Sequence, residues 1–202
     1  AHSHYQVPLV LDPAYLPTLR QICRQEAIGL IIPTIDQELQ LWAQAAPTFD
    51  QEGIHVSISP PETIRICNDK EATAAFFQAH ALPFAPTFRP GTLPPDSPFP
   101  LFIKPRQGRG SVHCFPIRNP RELAFFSDYV TDPVIQHFLP GQEFTVDALF
   151  DRTGRLIRAV PRFRLVVRSG VSDRGRTFHH PGLSRWIETI GGELPFRGAV
   201  NL

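Results

Sequence analysis

The chain of 202 residues has no methionine, three cysteines and no apolar run that approaches a membrane span. A span needs ~20 consecutive apolar residues, so the sequence predicts no membrane helix. Its first residues have neither the charged nor the apolar region of a secretory leader. Cys23, Cys67 and Cys114 are odd in number and show no C-x-x-C or metal-ligand spacing. That argues against a disulfide framework and makes a reducing cytoplasm the expected setting. Charge of one sign is lacking too: 20 basic against 19 acidic residues leave a formal net charge of +1. Such a balance argues against a general nucleic-acid binder, though a local basic patch stays open. The missing methionine fits a chain that has lost its initiator or begins inside a longer protein.

Proline is abundant, and its placement divides the chain. Residues 83–100, "PFAPTFRPGTLPPDSPFP", hold seven prolines. Without amide donors and with φ fixed, this stretch predicts neither helix nor central strand but an extended connector or domain boundary.

Before it, strand and helix patterns alternate. Residues 8–11 read as a short strand, 14–27 as a helix and "IGLIIPT" as a buried parallel-type strand. Asp36 is placed to N-cap a helix with Leu39, Leu41 and Trp42 on its apolar side, and "IHVSIS" is a further strand. Helices are expected over 61–67 and 70–81. The repeat predicts a doubly wound parallel sheet. The opening strand and Gly-rich turn of such a sheet have no counterpart in "AHSHYQVP". A sheet edge or face would then be uncovered, and another chain could cover it, as in a homo-oligomer.

After the connector, strands are expected at 101–104, 112–117, 134–138, 143–150 and 155–167, interrupted by a helix over 120–129. "DRTG" at 151–154 is a hairpin turn, so this half predicts an antiparallel sheet with helices packed on it. The fold class is α/β followed by α+β.

Candidate chemistry starts in "FIKPRQGRGSVHCFPI", residues 102–117. Lys104 emerges at the end of an apolar strand, and Gly108 and Gly110 let backbone approach a ligand closely, as anion-binding turns do. The glycines precede Ser111 and another strand, so this is no Walker A loop. A lid over phosphate and a surface hairpin with solvated arginines both fit these residues. Strand alternation puts Arg162, Arg164, Val166 and Arg168 on one face, with Pro161, Phe163, Leu165 and Val167 on the packed face. It likewise groups Glu143, Thr145 and Asp147. Cross-strand ion pairing is one reading. An anionic ligand that completes an excess of positive charge is the other.

"NDKEAT", "LFIKPRQGRGS", "VIQHFLPGQEFTVDALFD" and "VPRFRLVVRSG", in that order, resemble the ATP-grasp superfamily, most closely its carbamoyl-phosphate-synthase-like branch. The resemblance implies a partial pre-ATP-grasp domain over 1–67 and an ATP-grasp domain over 68–202, incomplete at its C-terminus, with an antiparallel sheet and a Gly-rich lid. It implies that Lys70 and Lys104 reach the ATP phosphates and that Gln107, Gly108, Arg109, Gly110 and Ser111 form the mobile lid. It puts Gln136 opposite the adenine amino group, the backbone around Phe138 and Leu139 on the adenine edge, and Glu143 on the ribose hydroxyls. Arg162, Arg164 and Arg168 match a strand that faces the phosphates or an acyl phosphate.

The sequence departs from that family in three places. Val112 and His113 replace a small residue, which stiffens the lid. Gln136 replaces glutamate, yet still hydrogen-bonds. No acidic pair for Mg²⁺ is found up to Leu202, so its ligands are expected beyond it, and a piece of an enzyme is expected, inactive alone.

The expected function is an ATP-dependent carboxylate ligase whose acyl phosphate is attacked by an amine or ammonia. The alternative is a nucleotide-binding regulatory module. Partners are ATP and a small carboxylate, with no nucleic acid and no membrane. Adjacent His179 and His180 point to opposite faces in a strand and are expected in a loop near the ligand rather than on a metal. Residues 169–177 are expected to be a loop, and no nucleophilic triad is predicted around Ser111.

Overall fold

The computed structural model describes residues 3–168 and 170–202. Its first unit contains α1 (Tyr15–Gln25), β1 (Leu30–Ile31), α2 (Asp36–Gln51), β2 (His55–Val56) and α3 (Pro61–Cys67). β1 and β2 pair in parallel, Leu30 with His55 and Ile31 with Val56. Trp42 and Phe49 of α2 close over them and pack with Ile54 and Val56, all buried. Each such side chain contributes ~1.5–3 kcal/mol by leaving water.

Two local expectations change. Residues 8–11 form a turn, in which Asp12 N–H donates to the Leu9 carbonyl at 2.9 Å, and among the described residues no strand pairs with them. Asp36 is the first helical residue of α2 rather than its cap. The free amides of Thr34 and Ile35 donate instead to Glu38 Oε1 at 3.0 and 3.2 Å, a carboxylate reaching back over the first turn.

α4 (Lys70–Ala79) is N-capped by Asp69, whose side chain accepts from the Glu71 and Ala72 amides. The proline-rich stretch contributes β3 (Thr87–Phe88), an edge strand, and a single 3₁₀ turn at Pro90–Thr92. Proline is tolerated at such an edge because few ladder bonds are lost. β4 (Leu101–Pro105), β5 (Phe115–Ile117) and β6 (Pro133–His137) complete an antiparallel sheet of order β3-β6-β4-β5. Leu101, Ile103, Ile117 and Ile135 are fully buried on one face, against α5 (Pro120–Tyr129). The Asn119 side chain caps α5 by accepting from the Glu122 amide. β5 starts later than expected because Ser111 and His113 lie at φ 56 and 55, outside extended backbone.

The second antiparallel sheet has the order β10-β7-β8-β9, from β7 (Phe144–Phe150), β8 (Leu156–Arg168), β9 (Val171–Thr177) and β10 (Gly198–Asn201). Val146, Ala148 and Phe150 alternate inward and pack on α6 (Pro181–Glu193) through Ile187 and Ile190. The expected loop over 169–177 is therefore a strand from 171 onward, while residue 169 lies outside the described residues. β9 has no apolar alternation because it is a sheet edge, held by pairing with β8. α6 and β10 were not anticipated.

The supposed packed face of β8 is only partly covered: Pro161 is buried, but Leu165 and Val167 are 53% and 43% exposed. The β8–β9 pairing slips at Leu165 and again at Asp173, which breaks strict alternation. Among the described residues no helix is long and apolar enough to cross a membrane.

Candidate functional site

β4 carries Leu101 and Ile103 into the core, so Phe102 and Lys104 face the other way. β6, paired with Phe102 opposite Gln136, adds Gln136 to that face. The N-terminus of α4 supplies Lys70, and the segment ahead of β7 supplies Glu143. Together with the 106–114 loop these bound a cleft of about 440 Å³. Of the residues assigned by resemblance to phosphate, lid, adenine and ribose, all but Gln107 and Gly110 line it. Phe102, Pro105, Val112, Cys114 and His137 line it as well and were missed. Phe102 was readable, since it shares the face of Lys104 two residues on. Cys114 had no local signal.

Lys70 and Lys104 are the only lysines in the chain; every other strong base is arginine. That composition by itself points to these two positions. Both are half-buried in the one cleft. Burial pushes Lys104 below the usual lysine value, and the charge of Lys70 pushes it further. Lys70 is lowered by burial as well. Two desolvated cations in one cleft call for an anion. Burial raises the Cys114 thiol while the two lysines pull it back, so it titrates within the same cluster.

The loop over this pair turns through left-handed backbone at Gly108 (φ 129), Gly110 (φ 68), Ser111 and His113. Gly110 lies against Gly170 at the β8–β9 turn: a Cβ on Gly170 would come within 2.7 Å of the Gly110 Cα and carbonyl carbon. The second antiparallel sheet thereby touches the loop. At the other end of the cleft, the Gln136 amide nitrogen donates to Thr87 Oγ1 at 2.7 Å and to the Ala85 carbonyl at 3.4 Å. A carbonyl only accepts, so the amide oxygen of Gln136 is the group left for a ligand. Phe138 N–H is taken by the Pro100 carbonyl at 3.3 Å, while Leu139 N–H has no partner among the described residues.

The arginine strand behaves differently from the lysines. Arg162 donates to Asp147 at 2.9 and 3.3 Å, Arg164 pairs with Glu143, and Arg168 lies 3.4 Å from Asp173. None of the three lines the cleft, and the excess positive charge expected on this strand is met by carboxylates. Arg164 also donates to the Gly170 carbonyl at 2.5 Å, and its Nε is buried with no partner among the described residues. His180 caps α6, its Nδ1 accepting from the Leu183 amide at 3.2 Å, and neither it nor His179 lines the cleft. The described residues contain no group of three or more His, Cys, Asp or Glu arranged to hold a metal.

A sheet with a cationic Gly-rich hairpin over a cleft that holds two lysines, and a second antiparallel sheet whose β8–β9 turn meets that hairpin, defines a class. Residues 67–182 match the family described as ATP-grasp domain, and residues 1–57 match the PylC-like N-terminal domain. The chain belongs to the ATP-grasp family.

Solved structures share its fold. The biotin carboxylase domain dimer of 2-oxoglutarate carboxylase from Hydrogenobacter thermophilus, in complex with MgADP, ADP and bicarbonate, superposes with TM-score 0.74 at 14% identity, covering 98% of this chain and 49% of that one. An L-amino acid ligase from Bacillus licheniformis gives 0.70 at 19% identity, over 96% of this chain and 50% of that one. N5-carboxyaminoimidazole ribonucleotide synthetase from Thermus thermophilus gives 0.70 at 17%, over 97% and 54%. The chain thus spans about half the length of each. Among proteins of curated function none matches it in sequence.

Proposed function

We propose that the cleft binds ATP and that the protein takes part in an ATP-dependent carboxylate ligation of the carbamoyl-phosphate-synthase type. A carboxylate oxygen attacks the γ-phosphorus and ADP leaves, giving an acyl phosphate. An amine or ammonia then attacks the acyl carbon, phosphate leaves, a carbon–nitrogen bond forms and the nitrogen loses a proton. Lys70 and Lys104 hold the phosphates. The loop from Gln107 to Ser111 covers them and keeps water from the intermediate. The Gln136 amide oxygen accepts from the adenine amino group, Leu139 N–H donates to the ring edge beside Phe138, and Glu143 accepts from the ribose hydroxyls. For Arg162, Arg164 and Arg168 to steady the transferring phosphoryl group, each must exchange its carboxylate partner for that anion. No step is assigned to magnesium, because the described residues do not assemble a site for it.

The boundary near residue 67, with a pre-ATP-grasp unit before it and the ATP-grasp unit after it, is part of the proposal. So are a soluble cytoplasmic setting, a small carboxylate partner and a homo-oligomer.

The observation that carries the reading is the pair of lysines, the only two in the chain, half-buried in one cleft beneath a Gly-rich loop. The test is calorimetric titration with a non-hydrolysable ATP analogue, with and without Mg²⁺, on the wild type and Lys104→Ala. The expected outcome is binding that weakens about tenfold or more in the variant, the loss of one charge-assisted contact. No wild-type binding at concentrations up to several mM would overturn the nucleotide reading.

A further inference from the structure

Lys70 stands between two carboxylates in sequence, Asp69 and Glu71, and its ammonium bonds to neither. Asp69 is 3% exposed. Its Oδ1 accepts from the Glu71 and Ala72 amides at 3.0 and 3.2 Å, and its Oδ2 accepts from Arg106 Nε and Nη2 at 2.8 and 2.5 Å. Glu71 Oε2 is taken by Arg89 at 3.0 and 3.2 Å, with Arg106 Nε 3.5 Å away. The Lys70 ammonium turns instead to the carbonyls of Arg106 and Gly108, at 3.2 and 3.3 Å, at the root of the Gly-rich loop. The Lys70 amide also donates to the Arg106 carbonyl at 3.2 Å. Arg106 therefore holds Asp69 with its side chain and Lys70 with its backbone.

We propose that Asp69 and Arg106 form a positioning couple that keeps the Lys70 charge unneutralised and directed into the cleft. Two donors of one planar guanidinium converge on Asp69 Oδ2 while two amides fill Oδ1, which leaves the ammonium no oxygen of that carboxylate. With Arg106 in place, the acid nearest Lys70 in the chain serves as a helix cap and a guanidinium partner and leaves the ammonium to an anion. The nature of that anion rests on the nucleotide reading above; the couple itself does not.

The charged and titratable groups around Lys70 are Asp69 at the N-cap of α4, Glu71 on α4, Arg106 at the exit of β4, Lys104 on β4 and Cys114 ahead of β5. The couple fixes the sign of each perturbation. Removing the Arg106 charge frees Asp69 for Lys70, which raises the Lys70 midpoint. Removing the Asp69 charge leaves an unpaired guanidinium nearby, which lowers it. Removing both restores it.

The experiment labels lysine with ¹³C at Cε in the full chain. Two resonances result, which Lys104→Arg assigns, and both are titrated with pH. Arg106→Gln should raise the Lys70 midpoint by about one unit, Asp69→Asn should lower it, and the double variant should return close to wild type. Asparagine keeps the cap, so Asp69→Asn decides by its direction even if Arg106→Gln does not fold. A Lys70 midpoint that stays still or moves the same way in both single variants overturns the couple. In parallel, Arg106→Gln should weaken the ATP analogue about tenfold and the double variant should recover most of that. The expected titration pattern without wild-type nucleotide binding overturns the nucleotide reading and upholds the couple. Nucleotide binding with an indifferent Lys70 does the reverse.

Discussion

Glu38 carries a negative charge inside the first unit that hydrogen-bond donors, and no cation among the described residues, hold. Its oxygens accept from Tyr15 Oη at 2.6 Å, Trp42 Nε1 at 3.1 Å and the Thr34 and Ile35 amides. Burial pushes its carboxyl up, but these four bonds together outweigh it and hold it below the usual carboxylate range. Burial and that same carboxylate push Tyr15 up to about 12. Glu38→Gln should therefore cost about 1–3 kcal/mol in urea unfolding at neutral pH, because an amide cannot accept from all four donors. The sign with pH follows from the lowered value. The charged form stabilises the fold above the unfolded value of about 4.3, and that contribution is lost as pH falls through the folded one. The gap between wild type and variant should accordingly narrow in acid. A gap that is constant with pH would show that the lost hydrogen bonds, not the charge, carry the effect.

At the scale of elements, the Gly-rich hairpin and the β8–β9 hairpin meet tip to tip at Gly110 and Gly170. Gly170→Ala would bring a Cβ within 2.7 Å of Gly110 backbone, at φ +76. Gly154→Ala meets the same kind of strain at φ +89, yet the nearest heavy atom to its Cβ is 3.6 Å away. Both substitutions should cost stability, about 1–3 kcal/mol each. Only the first should displace the loop, which is read by trypsin cleavage after Arg109: faster in Gly170→Ala, unchanged in Gly154→Ala. Equal cleavage would mean that the two tips do not support each other. The same contrast explains which elements were legible. α5 carries its own cap in Asn119 and matches its expected range. β9 is held by pairing alone, and its string of polar residues reads as a loop.

For the whole molecule, the apolar side chains gather into separate clusters, one around Trp42 and Phe49, the others on the two antiparallel sheets. A join between first unit and remainder is polar: the Arg197 amide donates to Ser59 Oγ at 3.0 Å. The apolar link across it runs through α3, with Ile64 in the first cluster and Ile66 against the cluster on α6, and clusters joined through few side chains open independently. Trp42 is buried in the first cluster, and Trp186, on α6, is half exposed. Urea unfolding followed by fluorescence of Trp42→Phe and Trp186→Phe should thus give two different midpoints. Coincident midpoints would make the chain one cooperative unit.

The order of the motifs, the strand that delivers Lys104, the turn at Asp151 and the helices over 61–67 and 120–129 were determined by the sequence itself. Each depends on local chemistry: alternation, caps, turn residues and the φ restriction of proline. Only the tertiary structure decided that Lys70 and Lys104 share a cleft with Cys114, and that three arginines on one strand are already paired. It likewise decided that the acids flanking Lys70 belong to Arg89 and Arg106. The physical reason is that alternation sorts side chains to a face but does not choose their partners. Partners are set by strand register, by bulges such as those at Leu165 and Asp173, and by segments far apart in the chain, none of which leaves a periodic trace.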